Sequence, residues 1–280
     1  MEKLIIELTR KNSSIIYRQS KTLFFLKIYR VSGLIYNCYQ LTAPNPHKRW
    51  DFSYLANRTA TQELPWDYNA TVLNQMKSTT TLLDMGTGGG EFLLSLSPPK
   101  GKTYATEAYT PNYELCKNTL PAFGIDVRLV SDDHELPFES DFFDLVINRH
   151  ESFSAQEVHR ILKPGGIFVT QQVGGQNNRE LSTFLLGQQV SLTDPNFNLQ
   201  TCRDELLKAR FTVIEGMEHF PLLQFYDVGA LVYFAKIIEW EFPGFSVREC
   251  LDKLILLQEK LEQNGFIQST EHRFFITARK

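Results

Sequence analysis

The chain of 280 residues has few cysteines and no long apolar run. Its 4 cysteines are scattered and form no Cys-x-x-Cys pair, which argues against a zinc site and against a disulfide framework. No metal site is expected. No apolar stretch reaches the ~18 residues that a membrane helix needs, so we expect no membrane partner. An apolar content of 42% with 22% charged residues is typical of a globular protein. A reducing, cytoplasmic location is the default expectation.

Charge is distributed unevenly along the chain. Residues 1–50 carry a net charge of +7 and the remainder carries −10, which gives −3 overall. An acidic remainder does not favour binding to a phosphate backbone, whereas the basic front segment is either a solvated face or a nucleic-acid contact. Residues 1–45 are predicted to form a separate basic and apolar N-terminal extension, either an appended helix or hairpin or a segment with little structure. A break at Ala43-Pro44-Asn45-Pro46 follows it.

The most informative stretch is a strand, a glycine-rich turn and a helix start. An apolar β-type run ends in Asp84, and glycines follow at alternate positions, Gly86, Gly88 and Gly90. Glycine permits a positive φ and lets backbone approach a ligand closely, so this arrangement is typical of a nucleotide-type site. A dinucleotide fingerprint needs a further glycine where Glu91 stands, and the charge of Glu91 would repel a pyrophosphate. The turn therefore favours a ligand with a positive centre.

Strands and helices then alternate, which predicts a doubly wound α/β fold with a mostly parallel sheet. Seven strands are predicted, at about 80–84, 102–106, 126–130, 143–148, 167–171, 211–216 and 274–278. Residues 50–75 are predicted to be largely helical. Helix starts are predicted at Thr110, with Pro111 at the first helical position, and at the capping boxes that open with Ser154 and Ser246. Two further helices, at about 228–238 and 247–261, are expected between strands six and seven.

These residues resemble a known family. The pattern Asp84-x-Gly86-x-Gly88-x-Gly90 resembles the first motif of class I S-adenosylmethionine-dependent methyltransferases. The segment Asp132 to Leu136-Pro137-Phe138 is similar to a second motif of that family, particularly of its type 11 subgroup. The resemblance runs in register over residues 66–175. It implies a Rossmann-like methyltransferase domain over residues 46–280, with seven strands and a helical cap at about 220–265.

The resemblance also implies S-adenosylmethionine as the cofactor. Glu107 ends the second strand, where a carboxylate suits the two hydroxyls of a ribose. In the family, the residue at Asp132 accepts from the adenine amino group, and the backbone at Asp133 donates to a ring nitrogen. The implied cofactor-binding set is Asp84, Gly86, Thr87, Gly88, Gly90, Glu107, Asp132, Asp133 and Asn148.

Chemistry is expected after the fourth strand, which ends in Asn148-Arg149-His150-Glu151. His150 is the candidate general base, because the ordinary pKa of histidine lies near neutral pH. Glu151 is expected to orient His150 or to act itself, and Arg149 is a candidate partner for a substrate carboxylate. A purely structural hydrogen bond is the alternative role for His150. Trp66 is expected either to close over the cofactor or to pack in the core.

The predicted reaction is methyl transfer to an oxygen or nitrogen nucleophile of a small-molecule acceptor. The Asn/Asp-Pro-Pro-aromatic motif of base-nitrogen methyltransferases does not follow the fourth strand. The nucleophilic cysteine of pyrimidine carbon-5 methyltransferases follows neither the fourth nor the fifth strand, so nucleic acid is disfavoured. Methylation of ribosomal or transfer RNA stays open through the basic front segment. An NAD-type oxidoreductase and a non-catalytic cofactor-binding protein also stay open. The sequence predicts the class of the acceptor, but neither the molecule itself nor the oligomeric state.

Overall fold

The computed structural model describes residues 52–187 and 194–280, which divide into two compact units. The sheet unit comprises the described residues 61–179, 194–222 and 270–280. The insertion unit comprises the described residues 52–60, 180–187 and 223–269. The predicted extension at 1–45 lies outside the described residues.

Ten strands lie in the described residues and form two sheets. Their bounds are β1 Thr59–Thr61, β2 Leu82–Met85, β3 Thr103–Glu107, β4 Ile125–Leu129, β5 Phe143–Arg149, β6 Leu162–Val173, β7 Thr212–His219, β8 Leu222–Phe225, β9 Ile267–Thr270 and β10 Arg273–Arg279. The sheet unit holds seven of them in the order β4-β3-β2-β5-β6-β10-β7. Strand β10 runs antiparallel to both of its neighbours, and the pairs among β2 to β6 are parallel. The predicted seven-stranded, mostly parallel sheet is therefore confirmed.

Eight α-helices are described. Their bounds are α1 Tyr68–Gln75, α2 Glu91–Ser95, α3 Thr110–Thr119, α4 Ala155–Ile161, α5 Arg179–Leu186, α6 Leu199–Lys208, α7 Val228–Ile237 and α8 Leu251–Asn264. Short 3-10 helices cover Phe52–Leu55 and Leu120–Phe123. Helices α7 and α8 lie between β7 and β10, as predicted.

The sheet is buried on both faces, as a doubly wound sheet requires. Successive side chains of a strand point to opposite faces, and the central strand β2 shows this directly. Leu82 joins one apolar cluster, whereas Leu83 and Met85 join the other. All four residues of β2 are buried, so the strand is a continuous apolar run up to Asp84 and the turn that follows it.

The insertion unit has its own core. Strands β1, β8 and β9 form a three-stranded sheet, and helix α7 is apolar and buried around most of its surface. Asp227 caps α7 by accepting from the Ala230 amide at 2.8 Å, and the same carboxylate pairs with Arg58. The sequence predicts the helices but not the small sheet, because strands of three or four residues carry too short an alternation to recognise.

Several local predictions are wrong. The sequence predicts helix over residues 50–75, but of the described part of this range, 52–75, only Tyr68–Gln75 is α-helical, and Pro65 disfavours a helix through the residue before it. Helix α3 is capped by Tyr109 rather than by Thr110. Residues after Ser246 form turns, and α8 begins only at Leu251. The predicted cap at Thr110 is one residue from the true one, which is within the usual uncertainty of element ends. The predicted cap at Ser246 lies four residues before Cys250, and the helix predicted from residue 50 begins only at Tyr68.

Candidate active site

The site is built on the turn between β2 and α2. Asp84 is 4% exposed and lies within the parallel strand, opposite Ala105 of β3 and Ile147 of β5. Gly90 is the N-cap of α2, and Glu91 lies in the first turn of that helix. Because β2 lies in the middle of the sheet, the turn opens at the carboxyl edge between two neighbouring strand ends, where doubly wound folds bind ligands.

A crevice of about 260 Å³ opens beside this turn. Its walls are the turn, the first residues of α2 and the end of β5. The lining residues are Asp84, Gly86, Thr87, Gly88, Gly89, Glu91, Phe92, Arg149 and His150. The lining is mostly backbone and charged groups, with two acids and one guanidinium facing the same space. Such a set matches a small ligand that carries both an ammonium and a carboxylate.

The three glycines of the motif are required for different reasons. All have positive φ, at 67° for Gly86, 63° for Gly88 and 85° for Gly90. A Cβ on Gly86 would stand 2.5 Å from Cγ of Glu151, and one on Gly90 would stand 2.8 Å from a Leu120 methyl. A Cβ on Gly88 would meet no protein atom within 4 Å. Gly88 therefore leaves open space in the crevice, as the close approach of a ligand to backbone requires.

Burial dominates the electrostatics of Asp84. It raises the pKa of this carboxyl to about 7, against the opposing effects of Thr87 and Arg149 and with a further rise from Glu107. The Thr87 hydroxyl lies near enough to Asp84 to lower this pKa, yet its oxygen is buried without a well-formed hydrogen bond. A buried acid with little support from donors gains most from a cationic partner. The floor of the crevice is thus suited to a ligand ammonium.

Glu107 lies beside the crevice at the end of β3 and is 5% exposed. One carboxylate oxygen accepts from the Gly88 amide at 2.8 Å, and the other accepts from the amides of Ala108 and Tyr109 at 3.1 and 3.0 Å. Three backbone donors fix the carboxylate against the glycine turn. A carboxylate has about four acceptor positions, so one remains for a ligand hydroxyl.

The loop with Asp132 and Asp133 is held by the sheet unit's own helix α4. Glu157 accepts from the Leu136 amide at 2.8 Å, and Arg160 donates to the Phe138 carbonyl at 2.8 Å. Asp133 accepts from the Ser152 hydroxyl at 2.5 Å, which links this loop to the one that follows β5. The charge of Asp133 also acts on Glu151. Neither Asp132 nor Asp133 lines the crevice itself.

The end of β5 places four predicted residues in different surroundings. Asn148 is fully buried, and its side-chain oxygen accepts from Thr170 and Gln172 at 3.0 and 2.6 Å. Arg149 lies with its guanidinium carbon 4.3 Å from the centre of the Phe92 ring, at the crevice wall. Asn148 therefore supports the strand end, whereas Arg149 faces the ligand space.

His150 and Glu151 follow at once. His150 has φ 65°, an uncommon conformation for a residue other than glycine. It is exposed at the crevice, yet the protein atoms around its ring, together with Arg273 and Arg149, lower the pKa of His150 well below its ordinary value. Burial and the charges of Glu107 and Asp133 raise the pKa of Glu151. The first group is a neutral imidazole at neutral pH, and the second holds a proton more readily than an ordinary glutamate.

The structure thus brings Asp84, Gly86, Thr87, Gly88 and His150 to one crevice. It places Gly90, Glu107, Asp132, Asp133, Asn148 and Glu151 around that crevice without lining it. Sequence reasoning missed Phe92 and Gln171, although the polar pair Gln171-Gln172 at the end of the apolar strand β6 was a usable signal. Trp66 stacks on Phe275 at 6.0 Å and donates its indole N–H to Gln171 at 2.7 Å.

Membrane helices and metal clusters are both absent from the part of the chain that the structure describes. In residues 52–187 and 194–280, no helix is both long and apolar enough to cross a membrane. Over the same ranges, no group of three or more histidine, cysteine, aspartate or glutamate side chains is arranged to hold a metal ion.

The strands and loops that build the crevice match a known family. Residues 83–170 match the family model of a methyltransferase domain. A Bacillus halodurans C-125 protein described as a candidate methyltransferase has a TM-score of 0.55 at 14% identity, over 76% of this chain and 98% of that one. The YcgJ protein of Bacillus subtilis has a TM-score of 0.52 at 17% identity, over 76% of this chain and 97% of that one. At such identities these two likenesses show the fold.

A curated relative is similar over a shorter stretch. The mitochondrial arginine-hydroxylase NDUFAF5 of Mus musculus is 30% identical over 107 residues, which is 35% of this chain and 30% of that protein. The chain therefore spans less than a third of the length of this relative.

Proposed function

We propose that this chain is a class I S-adenosylmethionine-dependent methyltransferase. Its residues 83–170 match the family model of a methyltransferase domain, and the proposed reaction transfers a methyl group from S-adenosylmethionine to an oxygen or nitrogen nucleophile of a small molecule. The observation that carries the proposal is the crevice beside the glycine turn. It combines a buried acid whose pKa is raised to about 7 with a glycine whose Cβ position is open space.

The residues present fit the cofactor. Asp84 at the crevice floor suits an ammonium, and Arg149 at the wall suits a carboxylate, so the two ends of an amino-acid group have partners in one space. Glu107 keeps an acceptor position beside the Gly88 amide for a ribose hydroxyl. Asp132 and the Asp133 backbone, on the loop held by α4, are the proposed contacts of the adenine.

The chain's own residues would then align the acceptor and receive its proton. When bound, S-adenosylmethionine supplies a methyl group on a cationic sulfur, which needs an aligned nucleophile and little water. Glu151 is the proposed proton acceptor, because its raised pKa brings it closer to working pH. A Glu151→Gln variant should retain cofactor affinity and lose turnover by about 10²-fold or more, in the range of general-base contributions. Turnover equal to that of the unaltered protein would refute this role.

Calorimetry decides the cofactor. We expect S-adenosylmethionine and S-adenosylhomocysteine to bind the unaltered protein and NAD not to bind. Asp84→Asn should weaken both S-adenosyl compounds, and Lys100→Gln, on the exposed loop before β3, is the matched control that should not. Binding of NAD in preference to either compound would overturn the proposal in favour of an oxidoreductase.

A small acceptor is favoured over RNA because the residues after position 50 carry a net charge of −10. Incubation with S-adenosylmethionine labelled in its methyl group, with a panel of small metabolites or with total RNA, separates the two. Label in the small-molecule fraction supports the proposal. Label confined to RNA would show that the acceptor is RNA and not a small molecule, and would leave the cofactor assignment in place.

Hydroxylation is a second candidate, raised by the name of the mouse relative that is 30% identical over 107 residues. The same incubation, supplied in addition with molecular oxygen and a reductant and followed by mass spectrometry, tells the two apart, because a methylated product gains the label and a hydroxylated product gains an oxygen without it. A product that contains added oxygen and no labelled methyl group would favour hydroxylation.

A further inference from the structure

A chain of side-chain hydrogen bonds runs along the carboxyl edge of the sheet to His150. The indole N–H of Trp66 donates to Oε1 of Gln171 at 2.7 Å. The amide nitrogen Nε2 of Gln171 lies 3.2 Å from Nε2 of His150. All three residues belong to the sheet unit, and the backbone amide of His150 also donates to the Gln171 carbonyl at 2.8 Å.

The chemistry of these groups fixes the direction of each bond. An indole nitrogen is a donor only, so the atom of Gln171 that faces Trp66 must be the amide oxygen. The amide nitrogen of Gln171 then faces His150, and an amide nitrogen is also a donor only. Nε2 of His150 must therefore accept, which places the proton of the neutral ring on Nδ1. The orientation of a glutamine amide, usually ambiguous, is here determined by the indole.

The surroundings favour the neutral ring. Arg149 on its own strand and Arg273 at the start of β10 both act on His150, and Arg273 is paired with Glu271 at 2.5 Å. Glu151, the next residue, is the nearest acid along the chain. Among the described residues, Nδ1 of His150 makes no hydrogen bond, and His150 lines the crevice. The positive φ of His150 means that the fold holds this residue at a conformational cost, as is common at functional sites.

We infer that Trp66 and Gln171 are positioning residues that hold His150 as a neutral hydrogen-bond donor, with its Nδ1–H directed to a lone pair on a ligand oxygen. The tautomer depends only on the contacts above. Its role toward the methyl acceptor rests on the proposed function, and there it selects an acceptor that presents a carbonyl or carboxylate oxygen rather than an ammonium. His150 then orients the acceptor, and proton removal is left to Glu151.

Long-range proton–nitrogen NMR spectra of the ligand-free protein, labelled with nitrogen-15, test the inference. The resonances of His150 are assigned by their loss in His150→Asn. Between pH 6 and about pH 8, the range in which an ordinary histidine titrates, we expect one neutral form with the proton on Nδ1. His159 lies edge-on to Phe211 at 5.2 Å and takes no part in this hydrogen-bond chain. Burial lowers its pKa as well, so it is compared for its tautomer and not as an ordinary titrating histidine.

Two variants test the hydrogen-bond chain from Trp66 through Gln171 to His150. Trp66→Phe keeps an aromatic ring against Phe275 but removes the indole donor, so the Gln171 amide can turn and His150 should become a mixture of both tautomers. Gln171→Glu keeps the shape but gives His150 a carboxylate, which should move a proton to Nε2 and raise the pKa of the ring toward its ordinary value of about 6.5 or above. Neither variant should show the spectrum of a single tautomer with its proton on Nδ1.

The outcomes are distinct. A proton on Nε2 of His150 in the unaltered protein, or an unchanged spectrum in Trp66→Phe, overturns the inference. Affinity for S-adenosylhomocysteine, measured on the same samples, should change less than twofold in Trp66→Phe. Failure of that compound to bind any sample would refute the proposed function while leaving the tautomer result valid, so the two failures can be told apart.

Discussion

The raised pKa of Asp84 predicts that cofactor affinity depends on pH. Burial holds this pKa at about 7 in the ligand-free protein, above its ordinary value of 3.8. A ligand ammonium beside the carboxylate favours its charged form and lowers the pKa in the complex. Below pH 7 the free carboxyl is mostly protonated, so binding must release a proton, and affinity should rise with pH.

The magnitude follows from the fraction of Asp84 that is ionised. With a pKa of about 7 in the free protein and one well below 5.5 in the complex, affinity should rise about fifteenfold between pH 5.5 and about pH 7.0. Below this pKa the slope approaches tenfold per pH unit. The neutral state of His150 throughout this range means that it adds no opposing slope.

Titration calorimetry with S-adenosylhomocysteine at several pH values, in buffers of different ionisation enthalpy, measures both the affinity and the proton released. Asp84→Asn should bind more weakly with little pH dependence, and Glu151→Gln should retain the slope. A flat profile in the unaltered protein, or the same slope in Asp84→Asn, would refute the reasoning.

Stability provides an independent check of the same pKa. A carboxyl whose folded pKa is raised opposes folding once it must ionise, so this penalty is absent below about pH 4, grows through about pH 7 and is constant above it. The shift corresponds to about 4 kcal/mol at most. Asp84→Asn should therefore be more stable than the unaltered protein at pH 8 and lose that advantage on acidification to about pH 4, as urea unfolding can measure.

Three further predictions concern backbone and caps. Gly88 and Gly165 both have a positive φ and open space at the Cβ position, so Gly88→Ala and its control Gly165→Ala should each lower the free energy of unfolding by about 1–2 kcal/mol. Only Gly88→Ala should lose S-adenosylhomocysteine binding. Equal binding by both variants would refute a ligand at Gly88. His150→Asn should be about 1 kcal/mol more stable than His150→Ala, since asparagine tolerates a φ of 65°, and urea unfolding that ranks them in reverse would contradict the strain. Asp227→Ala should lower the free energy of unfolding by about 2 kcal/mol and Asp67→Ala by about 1 kcal/mol. Both residues cap a helix, but only Asp227 also pairs with a guanidinium, that of Arg58. Equal losses of stability in thermal unfolding would argue against the ion pair.

The strand, the glycine turn and the helix that follows it could be predicted from neighbouring residues. The apolar run before Asp84 and the alternating glycines after it define strand, turn and helix within a dozen residues, because conformational freedom at glycine and period-two burial are properties of neighbouring positions. The same is true of the cap of α4 at Ser154, which accepts from the Glu157 amide as expected. Helix starts at Thr110 and Ser246 were misplaced because the true N-caps, Tyr109 and Cys250, form no side-chain capping hydrogen bond, so no local capping signal marks either start.

The small sheet of β1, β8 and β9 could not be recognised from sequence. Its strands come from positions 59–61, 222–225 and 267–270, and each is too short to show a period of its own. Only their pairing gives them a structure, since hydrogen bonds between distant segments satisfy the backbone there. The two helices of the insertion were predictable because their apolar positions recur over 10 and 14 residues.

The sequence by itself determined the alternation of strands and helices, the glycine turn and the acids at the ends of two strands, since each depends on residues close together in the chain. Only the tertiary structure decided what His150 can do. Its proton is placed by Gln171, 21 positions away, whose amide is in turn oriented by Trp66, 105 positions from it. Hydrogen-bond direction depends on which donor and acceptor the fold brings together, and no pattern along the chain encodes that meeting.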